Sequence, residues 1–251
     1  MNLKASYKYV MYDNKKALIG YSLIIIAITV FLFVASVSWS NDSSTMQIGG
    51  MEMASVIFIF VAGLTSFKDN FHMLTQNSVT RRGTFTATML GFITTAGMLS
   101  AISIIVLLIA KLMSSIQNNI VSTSFFETLY AGHVNGMNGF IVYLESFLLY
   151  FVMMLTVVGI GYLIGAIFYR LNKGGKVALA VGIPVFFSVI LPIVDVLIFG
   201  GRVTIGLVRF MDMIFGISAQ NPYLAVVSCM VIFLICGLLS WIVMRKAPVK
   251  A

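Results

Sequence analysis

The chain has 251 residues, 60% of them hydrophobic and only 10% charged, with a formal charge of +8. Domains that live in water carry about 25% charged residues. No soluble core hides this much apolar surface, so the bilayer is expected to be the solvent for most of the chain, as an all-α integral membrane protein. The length suits about six spans with short connections, a single transmembrane domain over residues 1–251, and leaves no room for a sizeable soluble domain.

Met1–Lys16 places Leu3, Tyr7, Val10 and Met11 on one helical face and Lys4, Lys8, Lys15 and Lys16 elsewhere. That pattern predicts an interfacial helix lying flat on the membrane, its lysines reaching the lipid phosphates. Ala17–Ser38 is the first predicted span, and Met51–Phe67 the second, opening with Glu52.

Residues 68–82 form the main polar interruption on the basic side. Phe67, Phe71 and Leu74 recur at helical spacing, which predicts a short amphipathic helix along the membrane surface. Asn77, Ser78, Val79, Thr80, Arg81 and Arg82 follow it. A handle with polar and basic ends suits the grip of a soluble partner.

Span three is predicted over 86–110. Residues 111–138 read as a polar loop with an apolar middle, Phe125–Tyr130. Span four, 139–168, contains Gly161 and Gly165, a small-xxx-small spacing that lets two helix backbones approach. Span five, 177–199, carries Pro184, Pro192 and Asp195. Gly200–Pro222 is too short to cross and return as full helices and too apolar for a solvated loop, so a re-entrant or interfacial helical pair is expected. Span six is 223–244. Cys229 and Cys236 both fall inside it, as small buried side chains.

With six spans, thirteen basic residues fall on one side: Lys4, Lys8, Lys15, Lys16, Lys68, Arg81, Arg82, Arg170, Lys173, Lys176, Arg245, Lys246 and Lys250. Only Lys111, Arg202 and Arg209 fall on the other. Such a bias puts both termini in the cytoplasm. Basic residues that face anionic lipid headgroups call for no nucleic-acid partner.

No motif points to catalysis. A GxxxxGK[ST] loop is absent, as are HExxH and GxSxG. His72 and His133 fall on opposite sides of the membrane, so they share neither a metal nor a substrate. No catalytic residue and no metal ligand set is expected. Glu52, Glu145 and Asp195 are the acids within or near apolar runs, all toward the outer side. A carboxylate in lipid is costly, so each should face the bundle interior, an aqueous cavity or a cation. For Asp195 the cation is Arg202 or Arg209. Its carboxylate either anchors the 200–222 segment, attracts a cationic substrate, or couples to protonation.

On these features the chain resembles a permease of the type 2 ABC exporter class. The architecture is similar along its whole length, and Leu74-Thr-Gln-Asn77-Ser78-Val79-Thr80-Arg81-Arg82 resembles a phrase found before span three, with Ser78 where glycine is usual. The resemblance implies a functional unit of two permease chains and two separate ATPase chains in a bacterial cell membrane. ATP and Mg²⁺ would be bound by the ATPase, with no cofactor in this chain. Phe71, Leu74, Asn77, Thr80, Arg81 and Arg82 would be the coupling residues, and Glu52, Glu145 and Asp195 would line a substrate pathway. Exporters of amphipathic peptide toxins such as phenol-soluble modulins are a similar group, which makes amphipathic or cationic peptides and hydrophobic compounds the expected cargo. The alternative is a stand-alone secondary transporter or a bacteriocin-immunity membrane protein.

Overall fold

The computed structural model describes residues 3–39, 46–116 and 120–245. It is 88% helical. Six helices are long and apolar enough to cross a bilayer, which makes the chain a multi-pass membrane protein.

Helix α1 (Leu3–Trp39) is continuous. Its 37 residues are about 55 Å long at about 1.5 Å each, well beyond the hydrocarbon core of about 30 Å. The separate surface helix expected over 1–16 does not form. The face meant for the lipid is already occupied: Val10 is buried with Leu74 and Val79. Asn14 donates to Thr95 Oγ1 at 3.1 Å, and Thr94 donates to the Met11 sulfur at 2.8 Å. Lys4, Lys8, Lys15 and Lys16 stay exposed.

Strand β1 (Met46–Gly49) leads to α2 (Glu52–Gln76). The expected surface helix after Phe67 is likewise absent, because α2 runs on without a break to Gln76. Phe67, Phe71 and Leu74 are buried, so their spacing continues the inward face of a spanning helix. Phe67 packs on Tyr162 with ring centroids 5.2 Å apart, and Phe71 on Tyr169 at 5.6 Å. The chain then reverses over residues 77–80. Ser78 has φ 55°, the left-handed region that glycine enters most easily.

Helix α3 (Arg81–Ile116) follows. The stretch read as a polar loop holds four elements: the last turn of α3, β2 (Ile120–Thr123), α4 (Phe125–Leu129) and α5 (Ala131–Val134). β2 pairs in parallel with β1, from Met46 with Ile120 to Gly49 with Thr123. Ser124 and Glu127 form a capping box at the start of α4. The apolar middle plugs this end of the bundle, with Phe126 and Tyr130 fully buried.

Helix α6 (Gly139–Arg170) is the centre of the bundle and packs on α2, α3 and α9 (Pro222–Arg245). It runs parallel to α2, and small residues set their separation. A Cβ built on Gly161 would stand 2.5 Å from the Phe60 carbonyl oxygen, and one on Gly165 2.5 Å from that of Leu64. Gly63 answers from the other side, at 2.6 Å from the Val158 oxygen. The small-xxx-small spacing is therefore a helix contact. Cys229 and Cys236 are buried and free.

Helix α7 (Lys173–Phe199) stands apart: Asp195 is its one buried residue. It contains two π turns, Phe186–Ile190 and Asp195–Phe199. Each follows a proline, Pro184 or Pro192, which supplies no N–H to the ladder and widens the next turn. Gly200 and Gly201, at φ 60° and 82°, then turn the chain into α8 (Arg202–Phe215). The re-entrant pair expected over 200–222 is a single helix. Gly216, at φ 61°, closes it, leaving 14 residues between the turns, enough for one helix of about 21 Å.

Candidate functional site

At the end where α1 begins and α9 finishes, the turn between α2 and α3 carries the six residues singled out for coupling. The structure divides them. Phe71 and Leu74 are inside the bundle, while Asn77, Thr80 and Arg82 are exposed. Thr80 also caps α3, accepting from the Gly83 N–H at 3.2 Å. Arg81 faces inward to α9: its Nη1 donates to the carbonyl of Met244 at 3.4 Å and to that of Arg245. A cation on the last carbonyls of a helix satisfies groups that have no partner within it and opposes its dipole. The turn is thus braced on α1 through Val10 and Val79 and on α9 through Arg81. Beside it lies a cleft of about 590 Å³ lined by Lys68, Asp69, His72, Tyr169 and Lys176.

The acids lie at the opposite end, and each has a partner within the chain. Glu52 is 4% exposed. Its Oε1 accepts from the Tyr150 hydroxyl at 3.0 Å, and that hydroxyl accepts from the Phe126 N–H at 3.4 Å. Among the described residues its Oε2 has no partner. Glu52 and Ser55 line a cavity of about 20 Å³, room for about one water. Ser55 continues the polar line to Tyr21 at 2.7 Å and Ser103 at 3.1 Å. Glu145 meets His133 Nε2 at 3.0 Å and accepts from the Tyr223 hydroxyl at 2.7 Å, joining α5, α6 and α9. Outside the spans, Glu127 pairs with Lys111. Burial raises its pKa, but the hydrogen bonds from Lys111 and from Ser124 outweigh it and hold the carboxyl below its usual range.

Asp195 is 1% exposed and does not pair with Arg202 or Arg209, which are exposed. Its carboxylate accepts the N–H groups of Val203 at 2.8 Å and Thr204 at 2.6 Å. These are two of the donors that the first turn of α8 leaves unpaired, and an anion there also matches the helix dipole. Asp195 is a cap reaching across the Gly200–Gly201 turn. Asp195→Ala is expected to speed tryptic cleavage at Arg202 and Arg209 several-fold, and Asp195→Asn, which keeps an acceptor, to restore most of the protection. Cleavage of the alanine variant at the wild-type rate would remove the anchoring role.

Glu52, Glu145 and Asp195 are held by separate partners and do not converge on one point. Among the described residues no group of three His, Cys, Asp or Glu side chains is placed to hold a metal. Tyr150 and Tyr223 lie 98 and 78 residues from the acids they bond, so the sequence does not show those pairings, whereas His133 stands only 12 residues before Glu145. The polar Tyr150 in the middle of an apolar run was the available signal. No family model, curated protein or solved structure matches this chain.

Proposed function

We propose that the chain is the membrane subunit of an ATP-driven exporter, worked by an ABC ATPase on a separate chain that binds the ATP and Mg²⁺. The observation that carries this reading is the α2–α3 turn. It is a tight reversal between two long helices, braced on α1 and α9, with Asn77, Thr80 and Arg82 presented outward. A load applied there is passed to four spans without a flexible linker. The bias of thirteen basic residues against three supports a cytoplasmic side for the turn and both termini, and the resemblance supports a bacterial cell membrane.

Helix α7 supports a second permease chain in the unit. It is apolar on all sides and buries nothing but Asp195, so its faces are free for lipid and for another span. The cargo is of the class the resemblance implies, amphipathic or cationic peptides and hydrophobic compounds. A second reading, a stand-alone carrier driven by protons, is favoured by one observation: the unpartnered Glu52 Oε2 beside a water-sized cavity.

Purification of the tagged chain from the membranes of its own host separates the two. A co-purifying P-loop ATPase is expected, with ATP-dependent transport in vesicles. Asn77→Trp, on an exposed side chain, should reduce recovery of the ATPase at least tenfold without changing the yield of the permease. Transport by the purified chain alone, driven by a pH gradient, would establish the second reading.

A further inference from the structure

On the outside of the bundle, α3 and α9 leave a groove of about 460 Å³ between them. Phe85, Met89 and Ile93 form one wall, and Phe233, Leu238 and Trp241 the other. Phe85 and Trp241 meet at its mouth with ring centroids 5.3 Å apart and the rings tilted at 50°. The floor is open at Gly237, where an added Cβ would meet nothing within 4 Å. Arg82 stands at the same mouth, exposed.

The dimensions and charges select an occupant. From Arg82 to Ile93 the groove follows α3 for about 16 Å at about 1.5 Å per residue, close to half of a hydrocarbon core of about 30 Å, the depth of one leaflet. Tryptophan at the mouth marks the boundary with the headgroups. No carboxylate lines the groove, and among the described residues none pairs with Arg82. Arg81 is spent on the end of α9, so Arg82 and the positive end of the α3 dipole face the mouth. A zwitterionic headgroup brings its own ammonium to compete for its phosphate, whereas an anionic one does not.

We propose that this groove is a binding site for one anionic glycerophospholipid of the leaflet at the basic end, its phosphate on Arg82 and one acyl chain lying along Gly237. The site follows from the membrane character of the chain and does not depend on the ATPase.

The chain has two tryptophans, so Trp39→Phe makes Trp241 the sole reporter. This protein is placed in phosphatidylcholine vesicles containing an equal mole fraction of acyl-dibrominated phosphatidylglycerol or acyl-dibrominated phosphatidylcholine. Bromine on the acyl chain reports lipid only, so added inorganic phosphate leaves the signal unchanged unless it displaces the headgroup. Quenching of Trp241 is expected to give an exchange constant about fivefold in favour of the anionic lipid, the contribution of about one basic residue at an anionic surface. Arg82→Gln should bring the ratio to about one while both lipids still quench. Gly237→Leu, which fills the floor, should reduce quenching by both. Equal exchange in the parent protein, a ratio unchanged by Arg82→Gln, or quenching unchanged by Gly237→Leu would each overturn the site.

Discussion

Gly161→Leu is expected to yield almost no folded protein, and Gly165→Leu to behave the same way. The obstacle in each case is backbone. Even the Cβ of an alanine at 161 would stand 2.5 Å from the Phe60 oxygen and 3.2 Å from the Leu64 nitrogen. A flexible side chain yields at little cost, whereas a carbonyl held in a helix moves only if the helix moves. Relief requires α2 and α6 to separate, which also breaks the Glu52–Tyr150 hydrogen bond and the packing of Phe67 on Tyr162. Overpacking a tight core costs about 1–3 kcal/mol when local adjustment is possible, and here the adjustment is a displacement of the central helix pair. The measurement is the yield of monodisperse protein after detergent extraction, with its thermal midpoint. Gly182→Leu is the control, since nothing lies within 4 Å of its added Cβ. If Gly161→Leu gives wild-type yield, the two helices do not meet at these glycines.

The second large effect concerns Glu52. Tyr150→Phe leaves both carboxylate oxygens of a 4%-exposed glutamate without a donor, and also removes the acceptor of the Phe126 N–H. Leaving a buried acceptor without its donor costs about 1–3 kcal/mol, and the orphaned Phe126 N–H adds to it. Replacing both groups by apolar ones of similar shape is far less harmful than removing one. Glu52→Leu combined with Tyr150→Phe is therefore expected to recover most of the loss, leaving about 1 kcal/mol for the unsatisfied Phe126 N–H. Thermal unfolding of the two single variants and the double variant, in one detergent, reads this directly. Additive losses would show that the two side chains do not depend on each other.

The spans were legible because length and hydropathy are local properties. The fourth and sixth, expected over 139–168 and 223–244, are Gly139–Arg170 and Pro222–Arg245. The small-xxx-small spacing was also legible, because only small residues allow two backbones to approach so closely. The two surface helices are indistinguishable in sequence from buried helix for one physical reason. The spacing of Phe67, Phe71 and Leu74 shows that a face is apolar but not what covers it. Lipid at the interface and α6 in the bundle demand the same pattern. Strands of four residues, paired across the whole of α2 and α3, carry too little periodicity to register. The sequence sets Asp195 beside the right segment and opposite charges point to Arg202 and Arg209, but unpaired backbone N–H groups are the stronger attraction.

Each π turn of α7 takes up one residue more than an α turn of the same height. Tightening one of them to ordinary α geometry would rotate everything beyond it by about 100°, the angle of one residue in a 3.6-residue turn. The second π turn begins at Asp195 itself, so the first step of such a screw motion would carry the cap of α8 around with it. Asp195 is the one side chain that α7 buries, so among the described residues its cap on α8 is the main contact that would resist the twist.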